Sequence, residues 1–176
     1  MNVSARFVLL LLLAWLTPCY GESMEENRLK SAYVLNFAKF TEWPAETVWP
    51  GNKITLCTLG IKVLDGALVE LAGRKAGGRE LQVIQGMDAD SDLRACHLVF
   101  IGKSERRSVA NIIKALEHSP ALTISDIDDF AEIGGGIGLL YRGNRIVFEV
   151  NLESTRKSRL HLPGKLLNLA YNVIGR

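Results

Sequence analysis

The period of hydrophobic and polar positions changes several times along the chain, and each change marks a predicted element. Phe7 to Leu16 is an unbroken apolar run behind the single charge of Arg6, broken by Pro18, Cys19, Tyr20 and Gly21. It is too short for a hydrocarbon core, which takes roughly 20 apolar residues, so it predicts a secretory signal peptide over residues 1–21, cut after Gly21. Leu16-Thr17-Pro18-Cys19 also offers a lipoprotein signal with Cys19 lipidated, against which Pro18 argues.

Residues 24–42 carry Leu29, Tyr33, Phe37 and Phe40 at helical spacing, with Arg28, Lys30 and Lys39 turned away, and Trp43-Pro44 is expected to end this helix. At 100° per residue Asn36 falls inside the apolar stripe, where its amide needs partners, a neighbouring backbone or a ligand. From Ile54 the pattern alternates. It predicts strands at Ile54–Leu59, Glu80–Gln85, His97–Ile101 and Ala121–Ile124, helices at Lys62–Ala72 and Ser104–Glu117, and a short helix near Asp88–Leu93. Such alternation implies an α/β fold in three layers, a mostly parallel sheet with helices on both faces, its first strand central as in flavodoxin-like order. Ile137–Tyr141 and Ile146–Val150 predict a C-terminal hairpin closed by Arg142-Gly143-Asn144-Arg145, and a last helix is expected from Pro163 to Gly175.

Removal of residues 1–21 leaves 155 residues at net charge +1, a length suited to one domain over residues 22–176. Near-neutral charge argues against nucleic acid as a partner. It also leaves two cysteines, Cys57 and Cys96, which an oxidising compartment is expected to join. If the first strand is central they lie on neighbouring strands, so bridge and topology support each other.

Candidate chemistry is sparse. His97, His118 and His161 are scattered with no metal-ligand spacing, and no Gly-x-Ser-x-Gly elbow occurs, so neither a metal, a cofactor nor catalysis is expected. Gly134-Gly135-Gly136 lacks the spacing of a phosphate loop and fits a tight turn. Ser125 with Asp128 resembles a helix cap. Tyr33, Phe37, Phe40, Trp43 and Trp49 concentrate five aromatics in seventeen residues, which suits core packing or an interaction surface equally. Tyr33, Asn36, Phe37, Phe40 and Trp43 are therefore the candidate partner-binding residues, and covering apolar surface on this helix would make a homodimer plausible.

The stretch Ala32-Tyr33-Val34-Leu35-Asn36-Phe37-Ala38-Lys39-Phe40-Thr41-Glu42-Trp43-Pro44 resembles the opening motif of the YfiR family of exported proteins. Phe130-Ala131-Glu132-Ile133-Gly134-Gly135-Gly136, Arg145-Ile146-Val147-Phe148-Glu149-Val150-Asn151-Leu152 and Leu166-Leu167-Asn168-Leu169-Ala170 agree with it, as do the positions of Cys57 and Cys96. The resemblance implies a periplasmic repressor that holds the periplasmic sensor domain of an inner-membrane diguanylate cyclase inactive. It would thereby lower cyclic di-GMP and biofilm formation, until an outer-membrane peptidoglycan-binding lipoprotein captures it. One departure stands out: family members with a second cysteine pair carry it around the Gly-rich hairpin, where this chain has Ala131 and Gly138. The alternative is a periplasmic small-molecule-binding sensory module that accompanies a sensor kinase or outer-membrane receptor, its crevice at the strand ends.

Overall fold

A computed structural model describes the chain from Tyr20 to Arg176, with side chains from Met24 onward. The expected signal peptide, including Cys19, lies outside the described residues except for Tyr20 and Gly21, which begin the first helix.

That helix, α1 (Tyr20–Phe40), is present as the periodicity predicts, but rotated. Val34, Phe37 and Ala38 are its buried apolar centre, and with them Lys30, Ser31 and Thr41 go inward, while Leu29 stays 46% exposed. Asn36 points to solvent, so the expectation of a buried amide is corrected, and with it the expectation that Lys30 faces away. The rotation is about a quarter-turn from the aromatic stripe. Its cause is electrostatic: the Lys30 ammonium lies 2.8 Å from Asp126 Oδ2 and 2.6 Å from Glu26 Oε1, both on the sheet-facing side of α1. Burial opposes the ammonium charge most strongly, yet the hydrogen bonds and attraction of Asp126 and Glu26 outweigh it, and the net effect raises the lysine pKa.

Eight strands form one mixed sheet in the order β2-β3-β1-β4-β5-β6-β7-β8. They are β1 (Lys53–Leu59), β2 (Lys75–Ala76), β3 (Arg79–Met87), β4 (Leu98–Ile101), β5 (Leu122–Ser125), β6 (Ile137–Arg142), β7 (Arg145–Asn151) and β8 (Asn172–Ile174). As the alternation implied, β1 lies between β3 and β4 and runs parallel to both. Pairing becomes antiparallel at β2 with β3 and at the hairpin of β6 and β7, whose turn residues Gly143 and Asn144 both take positive φ, as a tight two-residue connection requires.

The helical layers are thinner than three regular layers would be. Lys62–Ala72 is not a helix but two 3-10 turns, Val63–Gly66 and Val69–Leu71, with Lys62, Leu64 and Asp65 all at left-handed φ. Space explains this, because α1 and this segment cover the same face of the sheet: Val34, Phe37 and Ala38 share one core with Leu64, Ala67, Leu68 and Leu71 over Ile54, Leu56, Leu98 and Phe100. The short helix expected near Asp88–Leu93 is replaced by a longer β3 and a 3-10 turn at Leu93–Ala95. On the opposite face Ser104–Glu117 shortens to a 3-10 turn and α2 (Val109–Ala115), which pack with Phe130 and Ile127 on Leu59, Val99 and Ile101.

Two further corrections lie near the C-terminus. Asn151 caps an unforeseen helix, α3 (Leu152–Lys157), by accepting from the Ser154 N–H at 3.0 Å, a role its position ahead of Leu152-Glu153-Ser154 advertises. The last helix, α4 (Gly164–Leu167), is only four residues long, after which β-branched Val173 and Ile174 join β7 as a parallel edge. Ser125 caps no helix: its hydroxyl donates to Ile101 O and accepts from Ile127 N–H, making a turn.

Cys57 and Cys96 are bonded, with Cα atoms 5.9 Å apart, and both are buried. The bond joins β1 to the entrance of β4. At Gly135 a Cβ would stand 2.2 Å from the Phe130 ring, and Gly136 donates its N–H to Thr123 Oγ1 at 2.8 Å. The glycine run thus lets backbone pack against Phe130 and β5. A Cβ on Gly138 would stand 3.9 Å from that of Ala131, within the range a disulfide spans, and would meet no other atom closer than 3.5 Å.

Reducing the Cys57–Cys96 bond, or replacing both residues by Ser, is expected to cost about 4 kcal/mol by loop-closure entropy, read as a lower melting temperature; an unchanged melt under both treatments refutes it. The Ala131→Cys/Gly138→Cys variant is expected to oxidise spontaneously and to add about 2 kcal/mol, checked by thiol titration and a melt with and without reductant.

Candidate functional site

The five candidate partner-binding residues separate into different environments. Tyr33 and Phe37 pack on Phe148 of β7, with ring centroids 5.8 and 5.1 Å away, and the Tyr33 hydroxyl donates to Ile146 O at 3.2 Å. Phe37 has no exposed surface and belongs to the core. Phe40, half-buried, lies beneath the Lys165 ammonium at 4.6 Å. Asn36 is exposed. Trp43 is held on the far side of the helix end, its indole N–H donating to Pro120 O at 3.1 Å.

Trp43 belongs to a second aromatic group that its spacing from Trp49 did not reveal. Trp49 stacks on the His97 imidazole at 4.4 Å with the ring planes nearly parallel, Trp43 meets the Trp49 ring edge-on at 5.5 Å, and the Arg79 guanidinium lies 4.2 Å from the centre of Trp49. The segment between α1 and β1 is in this way clamped across the sheet. Its other anchor is a two-residue antiparallel bridge in which Glu42 and His161 exchange both backbone hydrogen bonds.

His97 explains why this group is structural. The Thr55 N–H donates to Nδ1 at 3.0 Å, so Nδ1 carries no proton and Nε2–H donates to Val48 O at 2.9 Å. Both nitrogens are used, and neither is free to take a substrate proton. Burial, joined by repulsion from Arg79 and opposed only by the Val48 carbonyl, lowers the imidazole pKa below its usual value. Cys57 and Cys96 are engaged as well, by their bond to each other. The sequence placed His97 at a strand start without a role, because the rings and carbonyl it meets lie more than 40 residues away in the chain.

The third feature is charged: Lys30 with Asp126, set at the C-terminal end of β5. Lys103, 3.7 Å from the same carboxylate, completes it from the end of β4. Together with Glu26 these groups neutralise one another and tie α1 to the strand ends. Nothing in the helical periodicity of α1 distinguishes Lys30 from a solvated lysine, because its partner is 96 residues away.

Because the folded imidazole binds its proton more weakly than the unfolded one, the native state takes up fewer protons near pH 6. The stability from His97 is therefore complete above the unfolded value, near 6.5, and is lost as pH falls. Between pH 7.5 and 5.5 the wild type is expected to lose stability that the His97→Gln variant does not, measured by denaturant unfolding at each pH; parallel profiles would sink the assignment.

Residues 27–171 match the sequence profile of a family described as YfiR/HmsC-like. A crystal structure of a conserved domain protein from Vibrio cholerae O1 biovar El Tor is similar in fold, with a TM-score of 0.55 at 10% identity over 81% of this chain. The chain spans 59% of that structure's length. The aromatic segment, the disulfide and the glycine-rich approach to the hairpin all fall inside the matched residues, and the chain belongs to the YfiR/HmsC-like family.

Proposed function

We propose that the protein is a periplasmic regulator of cyclic di-GMP signalling that binds the periplasmic sensor domain of an inner-membrane diguanylate cyclase and holds the enzyme inactive. Family membership over residues 27–171 is the observation that carries the reading. The site chemistry is consistent with it: His97 has both nitrogens engaged, the two cysteines are bonded, and α1 keeps polar Asn36 and apolar Leu29 at its surface. A protein that acts by occupying another needs surface and stability rather than reactive groups. No helix among the described residues is long and apolar enough to cross a membrane. Relief of repression by an outer-membrane peptidoglycan-binding lipoprotein is part of the same proposal.

A second reading, a small-molecule-binding sensory module, draws on one observation. A cavity of about 650 Å³ opens at the C-terminal ends of β1 and β3, lined by Thr58 and Gln85 beneath the turn that carries Val63, Leu68 and Val69. It lies at the C-terminal ends of parallel strands, the side of an open α/β sheet on which ligands are taken.

A pull-down of the tagged protein from detergent-solubilised cells of its own species is expected to recover a diguanylate cyclase, and deletion of the gene to raise cyclic di-GMP. Recovery of a sensor kinase or receptor instead, with cyclic di-GMP unchanged, moves the protein to the second reading.

A further inference from the structure

Arg79 pairs with Ala76 across the β2–β3 turn and stands two residues before Leu81, the partner of Ile54. Side chains alternate along a strand, so Arg79 leaves the sheet on the face of Ile54, which α1 covers. There its guanidinium lies over the Trp49 ring, 4.2 Å from the centre. Stacking of this kind uses the flat face of the guanidinium and leaves the N–H donors at its edge for other work. Among the described residues Arg79 forms no ion pair, and its Nε is buried without a hydrogen-bond partner. Buried donors in folded proteins are almost always paired, so this one calls for an acceptor from outside the chain.

Arg79 lines a cavity of about 320 Å³ between the end of α1, the segment that follows it and the β2–β3 hairpin. That is within the size range of small-molecule sites. Lys39, exposed and without an ion pair among the described residues, is the second base on its lining, and none of the lining residues is acidic. Trp43, Trp49, Ile54 and Ala76 supply an apolar wall. Two bases with no acid select an anion over a cation or a neutral molecule, and a carboxylate matches the fork of the guanidinium edge. The wall, in turn, selects an anion with an apolar body to lay against it. The cavity at the ends of β1 and β3 has no such preference, since Lys62 and Asp65 line it together.

We propose that this cavity binds a small organic carboxylate. The carboxylate accepts hydrogen bonds from Arg79 and is drawn in by Lys39, and its apolar body lies against Trp43 and Trp49. Bound there, it ties together the end of α1, the aromatic segment and the β2–β3 hairpin, the three elements that form the cavity. The inference stands apart from the cyclase-binding function proposed above, and its cavity is not the one that supports the sensory-module reading.

Trp43 and Trp49 are the only tryptophans of the exported form expected once residues 1–21 are removed, so its intrinsic fluorescence reports on the site directly. Hexanoate and cyclohexanecarboxylate are titrated against hexanol, hexylammonium and acetate. The two carboxylates are expected to change the emission saturably. Hexanol and hexylammonium, which lack the negative charge, and acetate, which lacks the apolar body, are expected to bind about tenfold more weakly or not at all. Arg79→Gln is expected to weaken both carboxylates about tenfold or more, and Arg79→Lys to weaken them less, because the charge survives without the fork. Lys39→Gln is expected to weaken them a few-fold, and Lys62→Gln, beside the strand-end cavity, to leave them unchanged. Melting temperatures of all variants are compared. Lys39 is exposed, so its variant keeps the fold; if Arg79→Gln unfolds, Arg79→Lys and the ligand series on the wild type decide. No saturable change with either carboxylate, equal binding of hexanol, or undiminished binding by Arg79→Gln overturns the proposal. Loss of cyclase-domain binding in Arg79→Gln, with no response of the wild type to free carboxylates, assigns Arg79 to an acidic side chain of that partner and also overturns it. The cyclase reading itself is decided separately, by the pull-down.

Discussion

The ion pair between Lys30 and Asp126 is the constraint to which most of the architecture answers. A buried ammonium is tolerated only where carboxylates meet it at hydrogen-bond distance, and removing either partner would strand an uncompensated charge. Here the lysine comes from the first helix and the aspartate from the end of β5, so satisfying them fixes both the rotation of α1 and its seat over the sheet. Once α1 is seated, Phe37 is directed at Phe148, and the crossover between β1 and β3 has room only for thin turns. The left-handed residues Lys62, Leu64 and Asp65 are the local expense of that crowding.

What the sequence could disclose follows the range of the interactions responsible. The strand cores at Ile54–Leu59 and His97–Ile101 are short apolar runs buried on both faces, and the hairpin carries its own turn residues at Gly143-Asn144; such elements are specified by neighbours in the chain and were legible. The order of β3, β1 and β4 was legible too, because the cysteines restrict which strands can be adjacent. The phase of α1 was not, since the aromatic stripe competes with a lysine whose partner lies far along the chain. Lys62–Ala72 has the right period for a helix, but tertiary crowding overrides a weak propensity. The Leu-rich C-terminus likewise reads as one helix, yet only Leu166 is fully buried before the chain is drawn into the sheet edge. Of the candidate site, the aromatic concentration was visible in sequence; its division between the Phe148 side and the His97 side was not, because β7 and β4 supply the partners.

Aromatic and ionisable groups in this protein are mostly consumed by structure. Trp43 and Trp49 hold the segment after α1 against a neutral imidazole, Tyr33 and Phe37 fill the core, and the disulfide staples β1 to β4. Such an economy suits a regulator whose output is occupancy. Recognition is left to the surface groups that the core and its clamps do not use.

The groove between α1 and the β6–β7 hairpin is lined by Glu25 and Leu29 on one side and by Tyr141, Asn144 and Ile146 on the other, segments more than a hundred residues apart. Neither wall makes the groove by itself: α1 is tied over the sheet through Lys30 and Asp126, and the hairpin joins the sheet through the pairing of β6 with β5. A chain that is truncated, nicked between them or halted partway through folding therefore presents no such surface. Recognition through it would report that the polypeptide is whole, so that damaged copies could neither engage a partner nor compete with intact ones for it.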